Sequence, residues 1–359
     1  MRIQPAPKGQ PFEELLLAAS LLTAVVAMVS VPGCSAPAKR PAVAPASPAA
    51  SPLVVQPTRG PSVPTEEEAI RIEVAESATD AGDYGQAIEI FRNLLSENPT
   101  LTRAHLGMGK AFEQSGELDR AERSFARAAT LERDNFDAQS AHGRVLVSLR
   151  RFNDAIRAYH RALVLRPDAL DANVGMAIAY LGLDQPQTAL GFAERAVKSD
   201  PRSGPARIEL ARTYERLGRK ADAIRTYEVA LELIDPDDDV LMAMILLFCG
   251  EKRYAEAANA AEELVAIVPS ANAYERLGWA RFRLGQYDQS MAAYRKGVEV
   301  DPNHWPSLNG VGTNAMNKWL TSGRQDDDSR LEARRSFQRS IKVNPDQPKV
   351  IAILTQYRP

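Results

Sequence analysis

The chain has little of what chemistry usually needs. Its 359 residues include two cysteines and four histidines. One cysteine, Cys34, sits at the end of a leader-like segment, so no disulfide framework can hold the fold and stability must come from packing. The other, Cys249, lies in the apolar run LMAMILLFC and reads as a buried, inert thiol. His105, His142, His160 and His304 form no i, i+4 pair and no Cys/His cluster, so no zinc site is expected. The run Asp326, Asp327, Asp328 lacks the spacing and the glycine of a calcium loop and reads as solvated. No phosphate-cradling glycine loop and no nucleophile elbow appears. Charge of one sign is missing too. The net charge is −2, from 44 basic and 46 acidic residues, and this balance offers no footprint for nucleic acid. No catalysis, metal, cofactor or small-molecule substrate is expected.

Long hydrophobic runs are scarce as well, apart from one at the N-terminus. Arg2 and Lys8 precede the uncharged stretch Leu15 to Val31, and small residues then lead to Cys34, the layout of a secretory signal over residues 1–33. The run is short for a bilayer span, and length alone does not separate a cleaved signal from a retained anchor. The sequence Val31-Pro32-Gly33-Cys34 resembles the bacterial lipobox, in which a peptidase cuts before a cysteine whose thiol carries a lipid. Pro32, and Glu13-Glu14 within the leader, depart from that pattern. The resemblance implies a lipid anchor at Cys34. An uncleaved signal anchor is the other reading, and both tether the chain to a membrane. Ser35 stands where lipoproteins kept at the inner membrane often carry Asp, which by the same resemblance implies the outer membrane, facing the periplasm. Residues 34–65 are then a disordered spacer rich in Pro, Ala and Ser.

From Glu66 onward the sequence repeats itself. Ala87, Ala121, Ala155, Ala189, Ala223 and Ala257 are each 34 residues apart. Four residues after each comes Phe91, Phe125, Tyr159, Ala193, Tyr227 or Ala261, and Pro99, Pro167, Pro201 and Pro269 close most units. Twelve residues before the alanines stand small residues, Ala75, Gly109, Gly143, Ala177 and Ala211, with Ile245 as the exception. Gly82, Gly116 and Gly218 fall between the two halves of their units. Each unit is predicted to be a helical hairpin: the small residue permits close approach, the aromatic fills the gap, Gly makes the turn and Pro stops the second helix. Unit seven is one residue short, with Ser290 in place of the alanine. In unit eight Gly312 and Ala333 are 21 residues apart instead of 12, which predicts an inserted polar loop around LTSGRQDDDS. Residues 346–359 are predicted to cap the end.

This pattern resembles the tetratricopeptide repeat, and the resemblance runs from residue 66 to 345. It implies an all-α superhelical solenoid of about eight hairpins that binds another protein or peptide along its inner face. In that family, positions two, five, nine, twelve and thirteen of each first helix line the groove. Carried over by position, these are Val174, Ile178 and Leu181 in unit four, Arg212, Glu215 and Arg216 in unit five, and Met242, Leu246 and Cys249 in unit six. Unit seven supplies Glu275, Trp279, Phe282 and Arg283, and Arg144 stands further up the rim. Apolar anchors beside charges suit a peptide-binding surface, and Trp279 is the foremost anchor. The alternative for each side chain is packing against a neighbouring helix. Leu106, Lys110, Ser140 and Arg144 replace the Lys and Asn pattern that grips a C-terminal carboxylate. The expected function is a protein scaffold on the bacterial envelope that helps assemble a larger machine. An adaptor that delivers partners to a cell-wall or proteolytic enzyme would have the same sequence features.

Overall fold

The computed structural model describes residues 60–357. The leader, Cys34 and the spacer up to residue 59 lie outside them. Among the described residues there are 17 helices and no strand. Sixteen of them pair as eight hairpins. These are α1 (Glu66–Asp80) with α2 (Tyr84–Glu97), α3 (Thr102–Gln114) with α4 (Leu118–Leu131), α5 (Phe136–Ser148) with α6 (Phe152–Leu165), and α7 (Leu170–Gly182) with α8 (Pro186–Ser199). Then follow α9 (Gly204–Arg216) with α10 (Lys220–Leu231), α11 (Asp238–Gly250) with α12 (Tyr254–Ile267), α13 (Ala271–Arg283) with α14 (Tyr287–Val300), and α15 (Trp305–Thr321) with α16 (Asp327–Val343). A last helix, α17 (Pro348–Tyr357), packs on α16. Consecutive helices touch throughout, and several first helices also touch the first helix of the next unit, as α1 does α3 and α7 does α9. First helices therefore form one layer and second helices the other, as the repeat pattern requires.

Local chemistry explains the elements. Thr65 and Glu68 form a reciprocal capping box at the start of α1, and Asn135, Ser203, Asp237 and Ser270 cap α5, α9, α11 and α13 with side-chain oxygens. In α4, Ala121, Ser124, Phe125 and Ala128 make one buried stripe. Residues before α1 are tied down too: the Ser62 N–H donates to the Thr100 carbonyl at 3.1 Å, and Ser62 Oγ donates to Asn98 Oδ1 at 3.0 Å. The segment just ahead of Glu66 is thus held against the end of unit one, because Asn98 supplies a partner that composition does not reveal.

Gly82, Gly116, Gly218 and Gly285 turn their hairpins with positive φ. In units three, four and six the same left-handed position falls to Arg150, Asp184 and Lys252, at φ 58°, 59° and 60°. A side chain there costs about 1–2 kcal/mol.

The 34-residue register is a set of close crossings. A Cβ added to Gly109 would lie 2.6 Å from the Phe125 ring, one at Gly143 2.8 Å from Tyr159, and one at Gly278 2.9 Å from Tyr294. The next unit contributes a second glycine: Gly107 abuts Phe91, Gly175 abuts Tyr159 and Gly310 abuts Tyr294. Each such ring is a plug between two first helices. Where the ring is lost, at Ala261, Ile245 and Leu277 are both buried in the same apolar cluster and supply the volume. Ser290, fully buried in unit seven, donates Oγ to the Gly278 carbonyl at 2.7 Å and accepts from Asn314 Nδ2 at 3.0 Å.

Unit eight departs from the expected loop. Its extra residues lengthen both helices, α15 to 17 residues where first helices such as α13 have 13, and α16 to 17 where α14 has 14. Only Ser322 to Asp326 remain as the turn. Adding about one helical turn, 3.6 residues, to each partner keeps their buried faces in register, so the insertion is absorbed without breaking the hairpin. Polarity misled the sequence reading here. Asp326 caps α16 by accepting from the Ser329 N–H at 3.0 Å, and Asp327 and Asp328 occupy its first turn, where the helix dipole favours acids.

Candidate partner-binding groove

The inner layer changes character along the array. In units one to three its charged side chains are consumed by ion pairs between successive units: Arg103 with Glu76 at 2.6 Å, Lys110 with Asp80 at 2.7 Å and Arg144 with Glu113 at 2.5 Å. Burial pushes the Glu113 carboxyl upward, and Arg144 opposes the shift. Units four and six place apolar side chains at the corresponding positions, with the charged Arg212, Glu215 and Arg216 of unit five between them. Val174, Ile178 and Leu181 on α7 are each half-buried, as are Met242 and Cys249 on α11, while Leu246 is 47% exposed. Burial raises the Cys249 thiol to about 11, so it is a neutral wall group.

Trp279 is half-buried and meets Tyr254 edge-on, with ring centres 5.6 Å apart. The Arg283 guanidinium lies 4.8 Å from the Tyr254 ring centre and donates to the Tyr254 hydroxyl at 2.8 Å. Tyr254 was not visible from the groove rule, because it comes from a second helix. Phe282 is placed differently. It is 6% exposed and packs edge-on against Tyr287 at 5.2 Å, so the ring is spent on the interior of unit seven. Ile178, Leu181, Met242 and Trp279 are thus half-buried and Leu246 is exposed, whereas the Phe282 ring is withdrawn, which corrects its placement as an anchor.

The arginines are also committed. Arg212 donates to Glu209 at 2.7 Å, and Arg216 to Asp184 at 2.5 Å. Glu209 stands sixteen residues after Ala193, where units with an aromatic plug place glycine or alanine, and it is 6% exposed. Burial pushes its carboxyl upward, and the Arg212 charge and hydrogen bond pull it back. Arg212 is thus the partner of a buried acid before it is a rim charge. Glu275 on α13 has a side chain 14% exposed, with its chain neighbour Arg276 at 3.3 Å as its one ion-pair partner among the described residues, and burial raises its carboxyl. Glu215 accepts a hydrogen bond from the Tyr227 hydroxyl at 3.3 Å and has no ion-pair partner among the described residues.

His105 takes a structural place. His105 Nε2 is 3.2 Å from the Pro99 carbonyl oxygen, six residues upstream. At the same place in the next three units, Gln139, Asn173 and Arg207 donate to the carbonyls of Arg133, Pro167 and Pro201 at 3.3, 3.0 and 3.0 Å. The shared task is to satisfy the end of the preceding unit, and a sequence search by residue type misses it because four different side chains perform it. No cluster of three metal-binding side chains occurs among the described residues. No described helix is long and apolar enough to cross a membrane.

These elements define an all-helical repeat solenoid. Sequence models of the tetratricopeptide repeat match residues 78–145 and 181–245, residues 140–203, and residues 271–304. The chain belongs to the tetratricopeptide repeat family, whose members serve generally as non-catalytic protein interaction scaffolds. It is 24% identical over 241 residues to Hsp70-Hsp90 organizing protein 2 of Arabidopsis thaliana, covering 64% of this chain and 39% of that protein. It is 33% identical over 122 residues to the cytochrome c-type biogenesis protein CycH of Pseudomonas aeruginosa, covering 33% of this chain and 30% of CycH. The chain thus spans well under half the length of both. The crystal structure of PilW, a type IV pilus biogenesis factor, superposes with a TM-score of 0.54 at 22% identity, covering 57% of this chain and 96% of PilW, a likeness of fold.

Proposed function

We propose that this protein is an envelope-tethered scaffold that seats a partner segment along units four to seven and helps assemble a larger complex. The observation that carries the reading is the set of apolar side chains Ile178, Leu181, Met242, Leu246 and Trp279 on the first helices of units four, six and seven, half-buried or exposed. Water against these side chains is released when an apolar segment covers them. The tether rests on Cys34 and the leader before it, with the outer membrane as destination from Ser35. It gives the groove a high local concentration at the membrane surface. Partners are other proteins or peptides, and the chain itself performs no reaction.

The test is capture from detergent-solubilised envelope by full-length protein against Leu246→Ala and Trp279→Ala. Truncating a central anchor costs about 2 kcal/mol, roughly thirtyfold in affinity. Variants that keep the parent's melting transition yet capture the same partner equally well would remove the groove from the reading. For the tether, mass spectrometry of the mature protein should find an acylated Cys34 as the first residue. A retained residue 1–33 segment would leave only the signal-anchor form.

A further inference from the structure

The first and last helices of the array carry opposite charge on their uncovered sides. In α1, Glu66, Glu67, Ile70, Glu73, Val74 and Ser77 are all exposed and, at about 100° per residue, fall on one stripe opposite the buried Ile72, Ala75 and Thr79. The buried side meets α2 and α3, so the stripe looks out of the array at its first end. Ile70 and Val74 are 57% and 50% exposed, and Glu66, Glu67 and Glu73 have no ion-pair partner among the described residues.

At the other end, α17 turns Val350, Leu354 and Tyr357 to the terminal cluster and leaves Lys349, Ile351 and Ala352 exposed, with Ile351 at 45%. Beside it on α16, Arg334 stands seven residues before Ile341, which packs in that same cluster, and Gln338 and Lys342 continue the exposed line at four-residue steps. Arg334, Lys342 and Lys349 have no ion-pair partner among the described residues. The balance extends around both patches. Residues 66–97 hold nine acidic and two basic residues, residues 329–357 hold six basic and two acidic, and the other acids of α16 lie in its first turn.

We propose that a second copy of this chain docks end to end, the α1 stripe of one copy on the α16–α17 end of the other. Ile70 and Val74 then cover Ile351 and Ala352, and Glu66, Glu67 and Glu73 meet Arg334, Lys342 and Lys349. Within the array every hairpin is covered by its neighbours, and the end faces are where that cover is missing. A second copy supplies it in kind, because each copy brings three unpaired acids at one end and three unpaired bases at the other. Covering the aliphatic side chains gives affinity, while the charges steer the encounter. Two like ends repel, so the direction is fixed as head to tail. Such a contact uses different surfaces on the two copies and leaves one of each free, so association continues past the dimer. The groove takes no part in it.

The experiment is sedimentation equilibrium of the full-length protein in excess detergent micelles at matched density. The average mass should rise with protein concentration at low salt and return to the protomer at about 1 M salt, where screening acts within about 3 Å. Two variants reverse one end each: Glu66→Lys/Glu67→Lys/Glu73→Lys, and Arg334→Glu/Lys342→Glu/Lys349→Glu. Each alone, once shown to keep the parent's melting transition, should need about tenfold more protein to associate. An equimolar mixture of the two should associate like the parent, because the reversed head of one fits the reversed tail of the other. Ile70→Ser/Val74→Ser, which leaves every charge in place, should weaken association as well. A parent that stays at protomer mass at low salt would overturn the proposal. So would association indifferent to both charge reversals, as sharing of micelles would produce, loss on reversal of one end only, or a mixture that stays at protomer mass.

Discussion

Tyr159 lies between Gly143 of its own unit and Gly175 of the next, and this single ring shows what the repeat demands of residues. Alanine normally stabilises an exposed helix over glycine by about 1 kcal/mol. At Gly175 the added methyl enters the Tyr159 ring, and overpacking of this kind costs about 1–3 kcal/mol. Gly175→Ala should therefore lower the melting temperature, while Gly191→Ala, in the middle of α8 with nothing within 4 Å of its Cβ, should raise it. Equal shifts in thermal melts would contradict the plug. Glu209 makes a second residue-scale test. Burial raises its folded pKa, so its contribution is fully present below the unfolded value and is lost as pH rises through the folded one. Glu209→Gln, which does not titrate, should melt higher than the parent at neutral and alkaline pH, and the gap should close as pH falls toward 4. A gap independent of pH would mean that the carboxylate stays ionised and well paired.

At the scale of elements, the lengthened α15 and α16 have a visible use. Trp319, on the added turn of α15, is 5% exposed and belongs to the apolar cluster against which Leu354 and Tyr357 of α17 pack. Gln347 locks the other end, donating to the Ser340 carbonyl at 3.1 Å and accepting from Asn309 at 2.7 Å. Trp319→Ala removes the platform at a cost of about 3–5 kcal/mol. It should release α17 while units one to six keep their protection, read as new proteolytic cuts and fast amide exchange confined to residues near 348–357. Uniform loss of protection would show instead that unit eight and its neighbours open together.

For the whole molecule, stability accumulates from neighbour to neighbour, because among the described residues each helix packs on those next to it or on the next first helix. Amide exchange should accordingly be slowest in α7 to α13 and faster toward α17, which packs mainly on α16. A single protection level from α1 to α17 would make the array one cooperative unit and refute the nearest-neighbour picture.

The periodicity alone determined the hairpins, their number and their register, because a buried crossing admits only small residues against a ring and that demand returns every 34 residues. Tertiary structure alone decided three other matters. Extra residues in unit eight became helical turns because a full turn preserves the buried face, whereas their polarity had suggested a loop. Phe282 went inward because Tyr287 of the next helix stands ready to pack it. The arginines of the rim were bound by Glu209 and Asp184 because an acid on another turn or another unit answers a charge at contact distance, and sequence spacing does not display that distance.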